Sequence, residues 1–214
     1  MPCICQPYSG IVVTADRCSF CTYGIDIAIS TCNATSQLKD GGKFPISSFI
    51  SVMPQNDQIS VLFVCLGNIC RSPMSEAVFK HTVKELGLED RFSRIDSCGT
   101  AAYHVGEAPD PRSVSTCESH GVPVNHYARQ IRQKDFTEFD YVLCMDRSNL
   151  SDLQRVKPRD GTAVVKLFGE YGEKGEKRIV DDPYYGGIDG FEVNFQQAVG
   201  FSKGFLKEVL KVNV

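Results

Sequence analysis

The sequence predicts an α/β fold in which helices cover both faces of a four-stranded parallel sheet. Two observations predict it. Short apolar segments alternate along the chain with segments of helical periodicity, which is typical of α/β domains. The short segments are almost continuously apolar, as strands buried on both faces are. Right-handed crossovers then give a doubly wound three-layer sandwich, whose ligand site lies at the carboxyl ends of the strands.

Four segments are predicted to be the strands. They are Ile59–Val64, Arg94–Ser97, Tyr141–Met145 and Ala163–Leu167. Ile59–Val64, Tyr141–Met145 and Ala163–Leu167 are short apolar runs, and Arg94–Ser97 is read as the second strand. Because the ligand site of such a sheet lies at the carboxyl ends of its strands, attention falls on the loop that follows Val64.

Three helices are predicted from their boundary signals. Ser72 and Pro73 are read as the N-cap and first residue of a helix, and Asp110 and Pro111 repeat that signal. Gly121 ends the second helix. A long amphipathic helix closes the chain, with an apolar face that we expect to be buried. That face consists of Phe191, Phe195, Ala198, Val199, Phe205, Leu206, Val209 and Leu210.

Residues 1–58 differ in composition from the rest of the chain. They are poor in charged residues and show no sustained helical or strand periodicity. We interpret residues 1–58 as a low-order extension, disordered or not translated, and residues 59–214 as the folded domain. Two alternatives remain for the extension. Its cysteines Cys3, Cys5, Cys18 and Cys21 could bind Zn²⁺, or the first two could accept palmitate.

Composition excludes several classes of function. The formal net charge is −3, so no basic surface for nucleic acid is expected. No apolar run approaches the ~20 residues of a membrane span, and no signal peptide is recognisable. The chain has 10 cysteines, and the five after residue 58 are interpreted as reduced thiols of a cytoplasmic protein. No cofactor is expected, and no group of side chains suggests a metal.

The loop after the first strand has the features of a phosphate site. It reads Cys65-Leu66-Gly67-Asn68-Ile69-Cys70-Arg71-Ser72. It leads into a helix N-terminus, whose free N–H groups attract an anion, and Gly67 would ease a positive φ angle. Arg71 can bind two phosphate oxygens at once. Cys65 faces the same N–H groups, which favour a thiolate placed to attack phosphorus.

Two motifs make the chain resemble a known family. The segment from Val61 to Pro73, with Cys65 and Arg71, and the Asp-Pro-Tyr-Tyr-Gly segment that begins at Asp182 resemble the low-molecular-weight protein tyrosine phosphatases. The segments most similar to the eukaryotic, particularly the fungal, members are Asp96-Ser97, His104-Val105-Gly106, Pro109-Asp110-Pro111-Arg112 and Cys144-Met145-Asp146. The resemblance covers about residues 59–214. It implies a flavodoxin-like fold and hydrolysis of phosphotyrosine and small aryl phosphates through a phosphocysteine intermediate.

The resemblance also implies roles for individual residues. Asp182 would be the general acid, with Cys65 the nucleophile and Arg71 the phosphate clamp. A second set would support the loop: Asn68, Ser97 and His126 through hydrogen bonds, Ser97 by stabilising the thiolate, and Asp146 by orienting Arg71. The substrate rim would consist of Tyr103, Tyr184 and Tyr185, together with Leu66 and Ile69.

The resemblance further implies a redox switch, in which a reversible Cys65–Cys70 disulfide blocks the nucleophile. Phosphate, vanadate and similar anions should inhibit, and the domain should be mostly monomeric. The resemblance also implies that Tyr184 and Tyr185 can be phosphorylated. Two alternatives stay open. One is an arsenate reductase of the same fold, which would need a relay of further cysteines such as Cys117 and Cys144. The other is a phosphate-binding module without catalytic activity.

Overall fold

The structure is a computed structural model, and it describes residues 58–175, 177–184 and 188–212. The predictions for the N-terminal extension, including its zinc and palmitate alternatives, lie outside the described residues, as does the rim role of Tyr185. Within the described residues, no helix combines the length and the apolar character that crossing a membrane requires.

The predicted parallel sheet is confirmed. Its strands are β1 (Ile59–Cys65), β2 (Phe92–Gly99), β3 (Tyr141–Cys144) and β4 (Val164–Leu167). They pair in the order β2-β1-β3-β4, and every pairing is parallel. The chain therefore leaves β1 toward one side of the sheet and later returns to its other side. Such a reversal opens a crevice at the carboxyl end of β1, where an α/β sheet places its ligand.

The helices follow the strands in the expected alternation. They are α1 (Arg71–Glu85), α2 (Pro111–Ser119), α3 (Asp135–Glu138), α4 (Arg147–Val156) and α5 (Ile188–Leu210), with 3₁₀ turns at Glu89–Arg91 and Phe168–Tyr171. The short helix α3 and the helix α4 were not predicted. The sequence around α4 offers few apolar residues, and its signal is the N-cap Asp146, which accepts a hydrogen bond from the Asn149 N–H at 2.8 Å.

The two predicted helix starts have different outcomes. Asp110 is the N-cap of α2, accepting from the Arg112 N–H at 2.9 Å, and Pro111 is its first residue. Gly121 follows that helix with a φ angle of +74°. The prediction for α1 was wrong, because this helix begins at Arg71 and its N-cap is Cys70, without a side-chain cap. The Ser72 hydroxyl is directed instead toward the phosphate loop.

The core lies on both faces of the sheet. On one face, aromatic rings of β1, α1 and α5 pack together: Phe79 meets Phe205 edge to face and lies tilted against Phe63. On the other, Leu62 and Val64 pack against residues of β3, α3 and α4. Of the predicted face of α5, six residues are buried: Phe191, Phe195, Ala198, Phe205, Leu206 and Leu210. Val199 and Val209 are partly buried, and Phe201 is a buried residue that the pattern missed.

Candidate active site

The phosphate loop connects the end of β1 to the start of α1 and wraps around the sulfur of Cys65. The side chain of Cys65 is buried, and its Sγ accepts a hydrogen bond from the Asn68 N–H at 3.2 Å. The Ser72 Oγ lies 3.1 Å from the same sulfur. Backbone N–H and hydroxyl groups thus surround the sulfur at a helix N-terminus, which is an environment that stabilises negative charge.

Asn68 holds the loop in shape. Its amide nitrogen donates to the Ser72 and Ser97 hydroxyls, each at 2.9 Å. Its amide oxygen accepts from the Arg129 N–H and from Nε2 of His126, each at 2.8 Å. Four hydrogen bonds to one buried side chain fix the conformation of the loop, because breaking any of them leaves a buried polar group unpaired.

The positive φ angle of the loop lies at Asn68 and not at Gly67. Asn68 has φ = +57°, a conformation that asparagine tolerates better than most residues do. A larger residue at position 67 would displace the side chain of His104. A Cβ there would lie 2.9 Å from Cδ2 of His104. The sequence therefore predicted the bend correctly but assigned its strain to the wrong residue.

The residues expected to support the loop are brought together, with one exchange of partners. Ser97 and His126 both contact Asn68, and the Ser97 Oγ is 3.3 Å from Nε2 of His126. The hydroxyl beside the Cys65 sulfur, however, is that of Ser72. The start of α1 explains this difference: because Ser72 is the second residue of the helix and not its cap, its side chain is free to point at the loop.

A buried carboxylate lies behind His126, and sequence reasoning missed it. Glu76 has a side chain only 5% exposed, and its Oε2 is 3.1 Å from Nδ1 of His126. Burial alone would raise its pKa, but the contact with His126 and the charge of Lys80 outweigh burial and lower the pKa of Glu76. The carboxylate thus faces the ring of His126 on the side opposite to Asn68.

Arg71 is buried and held by three acceptors. Its Nη1 donates to Asp146 at 2.6 Å and to the Val180 carbonyl at 3.2 Å, and its Nη2 donates to Asp182 at 3.0 Å. Burial opposes the charged guanidinium, but the neighbouring Cys65, Asp182 and Asp146 raise its pKa. Asp146 contacts Arg71 as the sequence implied, and it is also the cap of α4.

Asp182 lies on an irregular segment beside the loop. Its side chain is 43% exposed. Its Oδ1 accepts from the Tyr184 N–H at 3.1 Å while its Oδ2 faces Arg71. The neighbouring Asp181 is exposed and paired with Lys177. Asp182 is thus the carboxylate of this segment that reaches the phosphate loop.

These groups line one cavity of about 250 Å³. Its lining consists of Cys65, Leu66, Gly67, Ile69, Cys70, Arg71, Tyr103, His104, Asp182 and Tyr184. Tyr103 is 76% exposed and Tyr184 is 39% exposed, so both can contact a substrate at the mouth. His104 was not among the predicted site residues, although it belongs to the His-Val-Gly segment that supported the family resemblance.

The remaining cysteines of the described domain are free and buried. Burial raises the pKa of Cys117 and of Cys144 to about 12, so both thiols stay protonated near neutrality. Burial, and then the charge of Asp110, likewise raises the pKa of Cys70. Neither Cys117 nor Cys144 lines the cavity of Cys65, which disfavours a cysteine relay through them.

One group of potential metal ligands occurs among the described residues. Glu76, Asp96 and His126 place ligand atoms within 4.8 Å of one another. Their charges are already balanced, because Asp96 pairs with Arg129 at 2.9 Å and with Arg94 at 3.0 Å, and Glu76 pairs with Lys80 at 2.5 Å. Three cations so close to the carboxylates disfavour a metal ion.

Comparisons with known proteins agree with this geometry. A family model described as low molecular weight phosphotyrosine protein phosphatase matches residues 60–213. A protein of that name from Schizosaccharomyces pombe is 56% identical over 151 residues, which cover 71% of this chain and 97% of that protein. One from Saccharomyces cerevisiae is 51% identical over 158 residues, covering 73% and 98%. The crystal structure of a protein tyrosine phosphatase from Entamoeba histolytica superposes with a TM-score of 0.69 at 32% identity, covering 72% of this chain and 98% of that one.

Proposed function

This chain belongs to the low molecular weight phosphotyrosine protein phosphatase family and is a protein tyrosine phosphatase. From that premise we propose which residue performs each part of the reaction. Cys65 is the nucleophile, Arg71 binds the phosphoryl group and Asp182 transfers the proton. The observation that supports this division is the convergence of all three side chains on one cavity at the carboxyl end of β1.

In the first step, the Cys65 thiolate attacks phosphorus, so that an S–P bond forms while the bond from phosphorus to the aryl oxygen breaks. Asp182, as the carboxylic acid, donates its proton to that oxygen. Phenol has a pKa of about 10, so its anion is a poor leaving group without this proton. The products are a phosphocysteine, a neutral phenol and the Asp182 carboxylate.

In the second step, a water molecule attacks the phosphorus of the phosphocysteine. The Asp182 carboxylate accepts a proton from that water, and the S–P bond breaks to release inorganic phosphate and the Cys65 thiolate. Arg71 and the N–H groups at the start of α1 stabilise the charge on the phosphoryl oxygens in both steps. The Ser72 hydroxyl, 3.1 Å from the sulfur, stabilises the thiolate when it leaves.

The cavity favours flat aryl esters. Cys65 is buried at its floor, while Tyr103 and Tyr184 stand at its mouth. When the phosphoryl group lies at the floor, the ester contacts the rim only if its side chain is long. A phosphotyrosine side chain is long enough, and its ring can pack against these aromatic walls. Phosphate, vanadate and similar anions are expected to compete for the same floor. The domain acts mostly as a monomer.

The free thiols suit a reducing compartment, and we place the enzyme in the cytoplasm. There, peroxide would oxidise the Cys65 thiolate to a sulfenic acid, which condenses with the Cys70 thiol, releasing water and forming a disulfide. Both residues are buried and line the same cavity.

A steady-state assay with p-nitrophenyl phosphate and a phosphotyrosine peptide tests these roles. Wild type, Cys65→Ser and Asp182→Asn are compared in EDTA. We expect Cys65→Ser to abolish turnover and Asp182→Asn to lower it by about 10²–10⁴-fold. Full activity of the Cys65→Ser variant would contradict the assigned nucleophile. A wild type that hydrolyses neither compound but reduces arsenate would favour the reductase alternative.

A further inference from the structure

The segment that carries Asp182 has no regular secondary structure, so its position depends on individual contacts. At its beginning, the Val180 N–H donates to the Met145 carbonyl at 3.0 Å, and Nδ2 of Asn194 donates to the Asp181 carbonyl at 3.1 Å. Beyond Asp182, the Tyr184 N–H donates to the carboxylate itself. Arg71 holds the other carboxylate oxygen, so the orientation of the acid depends on Arg71 and on where the backbone of Tyr184 is held.

Arg112 contacts that backbone. Its Nη1 donates to the Tyr184 carbonyl at 3.1 Å. Its guanidinium carbon lies 5.5 Å from the centre of the Tyr184 ring and 4.8 Å from that of Phe191, at the start of α5. The guanidinium is thus placed between the acid-bearing segment and the helix that follows it.

The guanidinium of Arg112 is also held by Asp110, the N-cap of α2. Its Nε and Nη2 donate to the two carboxylate oxygens of Asp110 at 3.0 and 2.8 Å. This fork needs the planar guanidinium, and a lysine could not form it and reach Tyr184 as well. Asp110 is only 9% exposed, so the fork has a rigid anchor.

The start of α2 is in turn attached to the phosphate loop. The Asp110 N–H donates to the Ile69 carbonyl at 2.8 Å, and the Ser113 hydroxyl donates to the Cys70 carbonyl at 3.0 Å. A short chain of contacts thus runs from the loop through Asp110 and Arg112 to Tyr184, and from Tyr184 to Asp182.

We propose that Arg112 is a positioning residue that fixes the acid-bearing segment relative to the phosphate loop. The proposal rests on the proposed role of Asp182 as proton donor. Loss of Arg112 leaves the nucleophile and the clamp in place but lets Asp182 move away from the leaving oxygen. Its signature is therefore a failure of proton donation, not a failure of binding.

Leaving-group dependence measures proton donation. Phenyl phosphate releases a strongly basic phenolate, whereas p-nitrophenyl phosphate releases a much weaker base that needs little protonation. We expect Arg112→Gln to lower kcat/KM for phenyl phosphate by about 10–100-fold and for p-nitrophenyl phosphate much less, with Arg112→Lys in between. The ratio of the two values does not depend on the fraction of folded enzyme, so a partly unfolded variant does not produce the signature.

Two further variants complete the experiment. Arg155→Gln is the matched control, because Arg155 is 76% exposed and pairs with Asp152 away from the cavity; it should leave the ratio unchanged. Asp182→Asn should change the ratio at least as much as Arg112→Gln. If Asp182→Asn changes the ratio and Arg112→Gln does not, the positioning role is overturned while the proposed function stands. If Asp182→Asn does not change it, the acid assignment fails, and the role of Arg112 fails with it.

Discussion

The phosphate loop and the acid-bearing segment face the same cavity, but they are held in different ways. In the loop, Asn68, Arg71 and Ser72 are 1%, 4% and 0% exposed, and hydrogen bonds connect them to β2, His126 and α4. In the acid-bearing segment, the side chains of Asp181 and Asp182 are 67% and 43% exposed. These residues of the phosphate loop are part of the protein core, whereas the general acid Asp182 lies at the protein surface.

This difference separates stability from activity. Removing one member of a buried polar network destabilises the fold, because the partners of that member lose hydrogen bonds that water cannot replace. An exposed carboxylate can be replaced at little cost to folding, since water solvates what remains. Changes in the loop should therefore affect both folding and turnover, and changes in the acid-bearing segment should affect turnover alone.

The largest expected effect on stability is that of Asn68→Ala. It removes four hydrogen bonds and places alanine at φ = +57°. Together these should lower the free energy of unfolding by about 3–5 kcal/mol and also reduce turnover. Urea unfolding and a steady-state assay on the same preparation measure both effects.

Two controls sharpen that comparison. Asn68→Gly removes the same hydrogen bonds but tolerates the positive φ angle, so it should be about 1 kcal/mol more stable than Asn68→Ala. Asp182→Asn should change the free energy of unfolding by no more than about 0.5 kcal/mol. If Asp182→Asn destabilised the protein as much as Asn68→Ala does, the distinction between the two regions would be wrong.

Replacing Glu76 is expected to have a smaller effect on the free energy of unfolding, and this effect should depend on pH. Its pKa in the folded protein lies below the ordinary 4.5, because His126 and Lys80 overcome the effect of burial. The ionised carboxylate therefore stabilises the fold above about pH 4.5, and this contribution is lost as pH falls through the folded pKa. Glu76→Gln should cost about 1.5–3 kcal/mol near neutral pH, and the difference from wild type should shrink below pH 4.5.

Glu85→Gln is the control for this pH dependence. Glu85 is on the same helix, 68% exposed, and 3.6 Å from His81. Its replacement should leave the pH profile of stability close to that of wild type. Parallel profiles for wild type and Glu76→Gln across the acid range would contradict the assigned role of Glu76.

Much of the fold could be predicted because its signals are local. The strands β1, β3 and β4 are short, mostly apolar segments that need no knowledge of their partners, and Asp110-Pro111 marks the start of α2 by cap chemistry alone. The start of α1 could not be predicted by the same rule. There the Ser72 hydroxyl and the Cys65 sulfur share a hydrogen bond, and this contact within the loop overrides the local preference of serine for an N-cap.

The residues of the candidate active site also fall into those that the sequence predicted and those that it did not. Cys65 and Arg71 share one loop and could be recognised together, and Asp182 was found through its own motif. Glu76, His104 and Arg112 were missed as site residues because their roles depend on partners distant in sequence. Glu76 contacts His126 and Arg112 contacts Tyr184, 50 and 72 positions away. A glutamate within a helix or an arginine after a proline has no sequence signal of such contacts.

The most direct test of the central claim is to trap the phosphoryl group on the enzyme. Wild type is mixed with p-nitrophenyl phosphate, quenched with acid within the first turnovers, digested and analysed by mass spectrometry. We predict one phosphoryl group on the peptide that contains Cys65, and none in the Cys65→Ser variant. A phosphoryl group on another residue, or turnover with no phosphorylated peptide at any quench time, would contradict the proposed mechanism.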